Sequence, residues 1–391
     1  MSDAPTPPSP PAPSPPPGPS SRGAACLGVA FGISLVFNLL ALVLLLIGIW
    51  FFFLHDDSLS SLNERSVGGK PRATNKVAVI EVEGVLVEGL LGHAHRQIET
   101  AARDKHVKAV VLRINSPGGT ITASDDLYYR LVRLRDGKTP GSTSKKPLVV
   151  SMASLAASGG YYISMAGQGN LYAEETTITG SIGVFAAFPN VTGLSKKIGF
   201  AMDVIKRGDV KDGGSPFKDM TPQERAVWDD MVGNAYDRFL DVIADNRKNL
   251  SKDRLRKELF RRKRTGIVTE TKADGTREQK EVPFEYVRRL ADGGIFTARD
   301  AKRYGLIDEI GYLDDAIARA AELADLGDDY KAIRYEKPRA LIDYVLGLQT
   351  DPKPATLLDP AQLASGLTPR LWYLAPQSEL AGLAAATGQR P

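Results

Sequence analysis

The chain has 391 residues, 43% of them hydrophobic, and a formal net charge of +4. That length allows one large domain or two ordinary ones, and so small a net charge provides no overall field for attracting phosphates, which argues against a nucleic-acid binder. A single cysteine, Cys26, excludes an intrachain disulfide.

Residues 1–22 are dominated by proline, serine and alanine, a composition expected to stay extended and disordered. From Gly23 to Leu54 there is no charged side chain. Crossing roughly 30 Å of hydrocarbon takes about 20 helical residues, so 23–54 is expected to be a transmembrane anchor. Trp50 and Phe51–Phe53 suit a membrane interface. No small-residue cleavage site follows, so the anchor should stay uncleaved. Short N-terminal tails usually remain inside, which places the N-terminus in the cytoplasm and the main domain outside it.

Residues 55–75 read as a polar linker, and 76–330 as an α/β domain. Strands are expected at 77–84, 109–115 and 147–152, with helices at 93–104 and 122–136 between them. That alternation implies βαβ units and a mostly parallel sheet. A long helix over 221–247 opens with Thr221 and Glu224, the spacing of a capping box. The basic run 252–264 reads as a solvated helix face. Residues 263–282 are expected to be a hairpin insertion turning at Asp274-Gly275, and 331–391 a C-terminal extension, with little periodicity after 350.

Two motifs sit where strands end. Asn115-Ser116-Pro117-Gly118-Gly119 follows the 109–115 strand, and its glycines allow a close backbone approach. Such a loop can aim N–H groups at a developing oxyanion, although a plain strand-to-helix turn has the same composition. Ala156-Ala157-Ser158-Gly159-Gly160-Tyr161-Tyr162 follows the 147–152 strand. Ser158 there reads as a nucleophile, or equally as a helix N-cap. The Gly159 amide, one residue on, would point at the same oxyanion. The motif is not the Gly-x-Ser-x-Gly elbow.

A serine nucleophile needs a base. All four histidines, His55, His93, His95 and His106, precede Ser158, and the last three fall in or beside a polar helix expected to be exposed. No cluster has metal-ligand spacing, so no metal or cofactor is expected. Lysine is the remaining good base, provided burial favours its neutral form. Lys206 and Lys211 are equal candidates on these grounds.

Taken in order, these two motifs, then Thr179-Gly180-Ser181-Ile182-Gly183-Val184, then Gly208-x-x-Lys211-Asp212, resemble the signal peptide peptidase A family of the ClpP/crotonase superfamily. Gly305-Leu306-Ile307-Asp308-Glu309-Ile310-Gly311 is the last matching motif, and the length resembles the short, single-repeat form. The resemblance implies a ClpP/crotonase-like spiral of βαβ units behind one transmembrane helix. It implies Ser158 as nucleophile and Lys211, in preference to Lys206, as general base. Ser181 would orient the lysine, and Gly119 and Gly159, or Gly118, would line the oxyanion hole. It also implies signal-peptide remnants and other membrane-derived peptides as substrates, the bilayer as a partner, and a homo-oligomer. A non-catalytic membrane scaffold that binds peptides, and an acyl-thioester enzyme of crotonase type, are the alternatives on the same fold. The family's Gly-Arg-x-x-x-Gly segment reads Gly293-Gly294-Ile295-Phe296-Thr297-Ala298 here, without the arginine.

Overall fold

The structure, a computed structural model, describes residues 34–45, 62–271, 277–336 and 371–374. The chain divides into two units, 1–61 and 62–391. In the first, residues 34–45 are helical, with the Asn38 side-chain amide donating to the Ser34 carbonyl at 2.7 Å. Leu35, Phe37 and Leu44 on this helix are 63%, 73% and 61% exposed. Among the described residues, no helix is long and apolar enough to cross a membrane. The rest of the anchor expected over 23–54, and the proline-rich 1–22, lie outside the described residues.

The second unit is built on one mixed sheet. Its central strands are β2 (Lys76–Glu83), β3 (Val107–Ser116), β5 (Leu148–Ala157) and β6 (Leu171–Ala173), paired parallel in that order. The short β12 (Glu309–Ile310) adds to β6, also parallel. Strands buried on both faces read as continuous apolar runs, and alternate residues here go to different cores. Ala78, Ile80, Val110, Leu112, Val150 and Met152 pack with α1 (Gly92–Arg103), α2 (Ile121–Arg135) and α5 (Pro222–Asn246). Val77, Val79, Ala109, Val111 and Val149 pack with Ala316, Ile317, Ala320 and Ala321 of α8 (Leu313–Leu323). Two short helices, α4 (Thr192–Ile198) and α7 (Ala298–Tyr304), lie in the connections.

The sheet extends beyond the 76–330 expected from sequence. Residues 63–69, expected as linker, form β1 (Asn63–Gly69), and 331–336, expected as extension, form β13 (Lys331–Glu336). β13 inserts between β1 and β2, parallel to β2 and antiparallel to β1. Each finds its partner more than 250 residues away, so neither carries a local signal.

At its far end β5 leaves β6 and pairs with β7 (Ile178–Gly180), which pairs in turn with β11 (Ile295–Thr297). The α5 capping box is formed as the sequence predicts. Glu224 N–H donates to Thr221 Oγ1 at 3.2 Å, and Thr221 N–H to Glu224 Oε2 at 2.9 Å. The basic run is not one helix. α6 (Lys252–Lys257) ends at Glu258, and β9 (Leu259–Thr271) begins directly after it. β9 pairs antiparallel with β10 (Arg277–Arg289) over 13 residues, a longer hairpin than the expected 263–282. The turn residues 272–276 lie outside the described residues.

Candidate active site

β3 ends in the Asn-Ser-Pro-Gly-Gly loop, and β4 (Gly118–Thr120) leads from it into α2. Ser116 Oγ organises the loop. It donates to the Gly84 carbonyl at 2.6 Å and accepts from Gly118 N–H at 3.1 Å. The Gly118 amide is therefore already engaged, which leaves Gly119 as the loop's candidate oxyanion donor. Gly119 has no room for a side chain, because a Cβ there would lie 1.9 Å from the Leu86 carbonyl oxygen.

β5 runs beside β3, with Ala156 opposite Ser116, and hands over at Ser158 to the short helix α3 (Gly159–Ser164). Ser158 is 1% exposed. Its backbone sits at φ 54°, ψ −116°, a region costing a non-glycine residue of order 1–3 kcal/mol. Two hydrogen bonds hold it there: its N–H donates to the Gly180 carbonyl at 2.7 Å, and its carbonyl accepts from Tyr162 N–H at 2.8 Å. This is the sharp, strained strand-to-helix turn of a nucleophile elbow, made without the Gly-x-Ser-x-Gly sequence. Among the described residues the Ser158 hydroxyl makes no hydrogen bond, not even to cap α3.

The following glycines let three backbones converge. A Cβ on Gly159 would lie 2.4 Å from Ser124 Oγ, 3.0 Å from Gly118 Cα and 3.1 Å from Gly119 N. A Cβ on Gly160 would lie 2.7 Å from the Ser116 carbonyl oxygen. The structure thus brings Ser158, Gly159, Gly118 and Gly119 together. The Gly159 N–H, in the first turn of α3, has no intrahelical acceptor. Ser116 and Ser124, which the sequence reading gave no role, support this cradle; Ser124 Oγ donates to the Thr120 carbonyl at 2.8 Å.

Ser181 adjoins the same junction. It follows Gly180, which accepts from Ser158, and its own N–H donates to the Gly294 carbonyl at 2.9 Å. It is 3% exposed, with φ 53°.

The lysines differ. Lys206 Nζ donates to Asp212 Oδ1 at 2.5 Å and to the Asp209 carbonyl at 2.8 Å. Lys218 bridges Asp212 at 3.1 Å and the buried Glu224 at 2.5 Å. The Lys206 hydrogen bond, with Lys218 assisting, holds the Asp212 carboxyl at about 2. The Lys206 side chain is thus held by Asp212 and the Asp209 carbonyl. Lys211 is exposed. Among the described residues its side chain has neither hydrogen bond nor ion pair, and nothing links it to Ser158 or Ser181 within one protomer.

The helix α1, expected to be exposed, buries one face through Ala94, Gln97, Ile98 and Ala101, and His93 and His95 on it are half-buried; His106 follows its end, and His55 lies outside the described residues. His95 is half-buried, its Nε2 3.2 Å from Asp126 Oδ2. Burial, then the nearby Arg130, keep its pKa below the ordinary value. Other motif residues are structural. Tyr161 OH donates to the Leu306 carbonyl at 2.7 Å, and Tyr162 packs edge-on against Phe239. Asp308 accepts from the buried Arg247 at 2.7 Å and from Leu171 N–H at 2.9 Å.

Comparison with known proteins adds to this geometry. Residues 142–258 and 275–327 match the model of peptidase family S49. Protease 4 of Haemophilus influenzae is 31% identical over 281 residues, covering 70% of this chain and 38% of that protein. A putative protease of Synechocystis sp. is 31% identical over 279 residues, 71% of this chain and 85% of that protein. A putative signal peptide peptidase SppA of Enterococcus faecium is 34% identical over 221 residues, 56% of this chain and 52% of that protein. The chain thus spans well under half of the first relative's length and most of the second's. Among solved structures, a point mutant of ClpP1 from Listeria monocytogenes aligns with a TM-score of 0.32 and 13% identity, over 61% of this chain and 94% of that one.

Proposed function

The chain belongs to peptidase family S49, and on that premise we propose that it is a membrane-anchored serine endopeptidase with a Ser158–Lys211 dyad. Its substrates are signal-peptide remnants and other membrane-derived peptides. The observation that carries the reading is Ser158 itself, a nearly buried serine held in a strained turn against the Gly118-Gly119 and Gly159-Gly160 backbones.

In the proposed reaction, neutral Lys211 Nζ takes the Ser158 hydroxyl proton as Oγ bonds to the peptide carbonyl carbon. The Gly119 and Gly159 amides receive the oxyanion, an effect worth roughly 3–4 kcal/mol per donor in comparable sites. The C–N bond then breaks and Lys211 returns the proton to the leaving amine. Water, deprotonated by the same lysine, attacks the acyl-enzyme, and Ser158 recovers its proton. Ser181 orients the lysine.

An amine serves as a base only when shielded from water. The exposure of Lys211 in one protomer therefore supports a homo-oligomer in which a neighbouring copy completes the site. The uncharged stretch 23–54, with exposed apolar side chains on its described helix, supports the anchor. The N-terminus is cytoplasmic and the peptidase domain extracytoplasmic.

Hydrolysis of an apolar fluorogenic peptide by the detergent-solubilised full chain tests the reading. Ser158→Ala and Lys211→Ala should each lower kcat by roughly a thousandfold or more, while Lys206→Ala should cost less than about tenfold. Full activity in Lys211→Ala would remove the base, and full activity in Ser158→Ala would remove the nucleophile. Peptide binding without any hydrolysis by the parent chain would favour a scaffold.

A further inference from the structure

Besides the main sheet, the described residues form two smaller ones. One joins β4, β8 (Phe185–Ala186) and β14 (Leu371–Leu374), and the other is the β9–β10 hairpin alone. The match to the family model stops at 258 and resumes at 275, so β9 has no counterpart in that model. The base of the hairpin is fixed. The Phe260 ring lies 4.5 Å from Tyr304 and 5.9 Å from Phe296, Arg262 pairs with Asp300, and Arg288 pairs with Asp292 at 2.7 Å. Beyond that base the two strands pair only with each other.

Residues opposite one another in an antiparallel pair share a face. The register sets Arg262 opposite Tyr286, Arg264 opposite Phe284, Gly266 opposite Val282 and Val268 opposite Lys280. From Phe260 to Val268 and from Lys280 to Arg288, this face holds the bases Arg262, Arg264, Lys280 and Arg288 and no acid. The other face, which carries Ile267, holds Glu281 and Glu285 in the same span, and Glu285 accepts from Arg261 at 3.1 Å. Arg262 and Arg288 serve the base. Among the described residues, Arg264 and Lys280 pair with no carboxylate. Beside them Val268 and Phe284 are 47% and 49% exposed. The Phe284 ring stacks on Tyr286, with centroids 5.9 Å apart. It also lies over Gly266, where a Cβ would come within 3.0 Å of it.

Unpaired cations beside exposed aromatic and branched side chains suit the headgroup level of an anionic bilayer. Rings and apolar groups enter the boundary there, and Lys and Arg meet the phosphates. A nucleic-acid backbone would engage the cations but leave Val268 and Val282 without a partner. We propose that this face of the hairpin, centred on Arg264, Val268, Lys280 and Phe284, is a second lipid contact that docks on anionic headgroups. The proposal rests on the anchor over 23–54, which brings the chain to a bilayer, and is independent of the Ser158–Lys211 dyad.

The test uses the full chain in nanodiscs of phosphatidylcholine alone or mixed with phosphatidylglycerol. Cys26→Ser removes the native thiol, and Val268→Cys or Ile267→Cys then carries a polarity-sensitive fluorophore. The readout is quenching by acrylamide. In the mixed lipid the label at 268 should be quenched several-fold less than in phosphatidylcholine, and the label at 267, on the other face, should be unchanged. Arg264→Glu combined with Lys280→Glu should abolish the difference, since each cation near an anionic surface strengthens attraction about fivefold. High salt should do the same. Equal quenching at 268 in both lipids, a difference that survives the double reversal, or protection at 267 instead of 268 would each overturn the proposal. Protection that appears in detergent and rises with protein concentration would assign the face to a second copy and overturn it too. Failure of the chain to enter nanodiscs would refute the anchor separately. Sedimentation of the chain with phosphatidylglycerol vesicles, kept or lost in the double reversal, would then decide the role of the hairpin, with loss expected and retention, or no sedimentation at all, refuting it.

Discussion

The backbone around Ser158 and the β9–β10 hairpin deal with main-chain groups in opposite ways. In the cradle, Gly119, Gly159 and Gly160 let neighbouring backbone segments meet at distances that leave no room for a methyl group. In the hairpin, two 13-residue strands pair with each other alone, and Leu259, Ile267, Val268 and Phe284 stand exposed. The family match runs through the cradle residue Ser158 but skips 259–274, which holds the whole of β9. Sequence change should therefore be costly in the first region and cheap in the second.

Gly159→Ala breaks the comparison most severely if the cradle is as described. Its methyl would press on Ser124 Oγ and on the Gly119 backbone. Peptide hydrolysis should fall roughly 10²–10³-fold, as for loss of one oxyanion donor, and urea unfolding should show a loss of about 1–3 kcal/mol from overpacking. Adding Ser124→Ala should restore part of the stability but little of the rate. Wild-type kinetics in Gly159→Ala would mean that the site lies elsewhere.

Ser116→Ala should come next. It strips the Gly118 N–H and the Gly84 carbonyl of the hydroxyl between them. Leaving the buried Gly118 amide unpaired costs about 1–3 kcal/mol, readable by thermal denaturation, with a fall in kcat as the loop loses its support. A loss confined to stability would separate the loop from the chemistry.

A smaller effect is expected from pH. In the native state Lys206 and Lys218 hold Asp212 at about 2, against an ordinary 3.8. Above 3.8 both states are ionised and the contribution is fully present. As pH falls from about 4 to 2, the unfolded chain binds a proton that the native chain refuses, and the contribution is lost. Asp212→Asn should flatten Tm across that window, and an unchanged Tm profile would show that this exposed network carries no stability. The hairpin should matter least. Replacing 266–282 by an Asn-Gly turn should alter stability by no more than about 0.5 kcal/mol and leave peptide hydrolysis intact. A loss of several kcal/mol would erase the contrast between the two regions.

Local patterns carried much of the fold. The apolar runs that became β2, β3 and β5, and the Thr221–Glu224 cap, depend on neighbours in sequence. β1, β13 and β14 depend on partners far along the chain, and no window of residues contains that information. At the site, composition located the glycine loop and the serine, but two equivalent lysines remained. In the structure the two differ in their contacts, Lys206 being bridged to Asp212 six residues away, which spacing alone did not single out. The positive φ of Ser158 was likewise hidden, because the residues around it lack the sequence usually associated with that turn.

The most direct measurement is the site of covalent attachment of a fluorophosphonate to the full-length chain, read by intact mass and then by peptide mapping. A single adduct on the peptide containing Ser158, absent from Ser158→Ala and strongly slowed in Lys211→Ala, is the predicted result. An adduct on Ser116 or Ser181, or labelling that persists in Ser158→Ala, would contradict the assignment of Ser158 as the nucleophile.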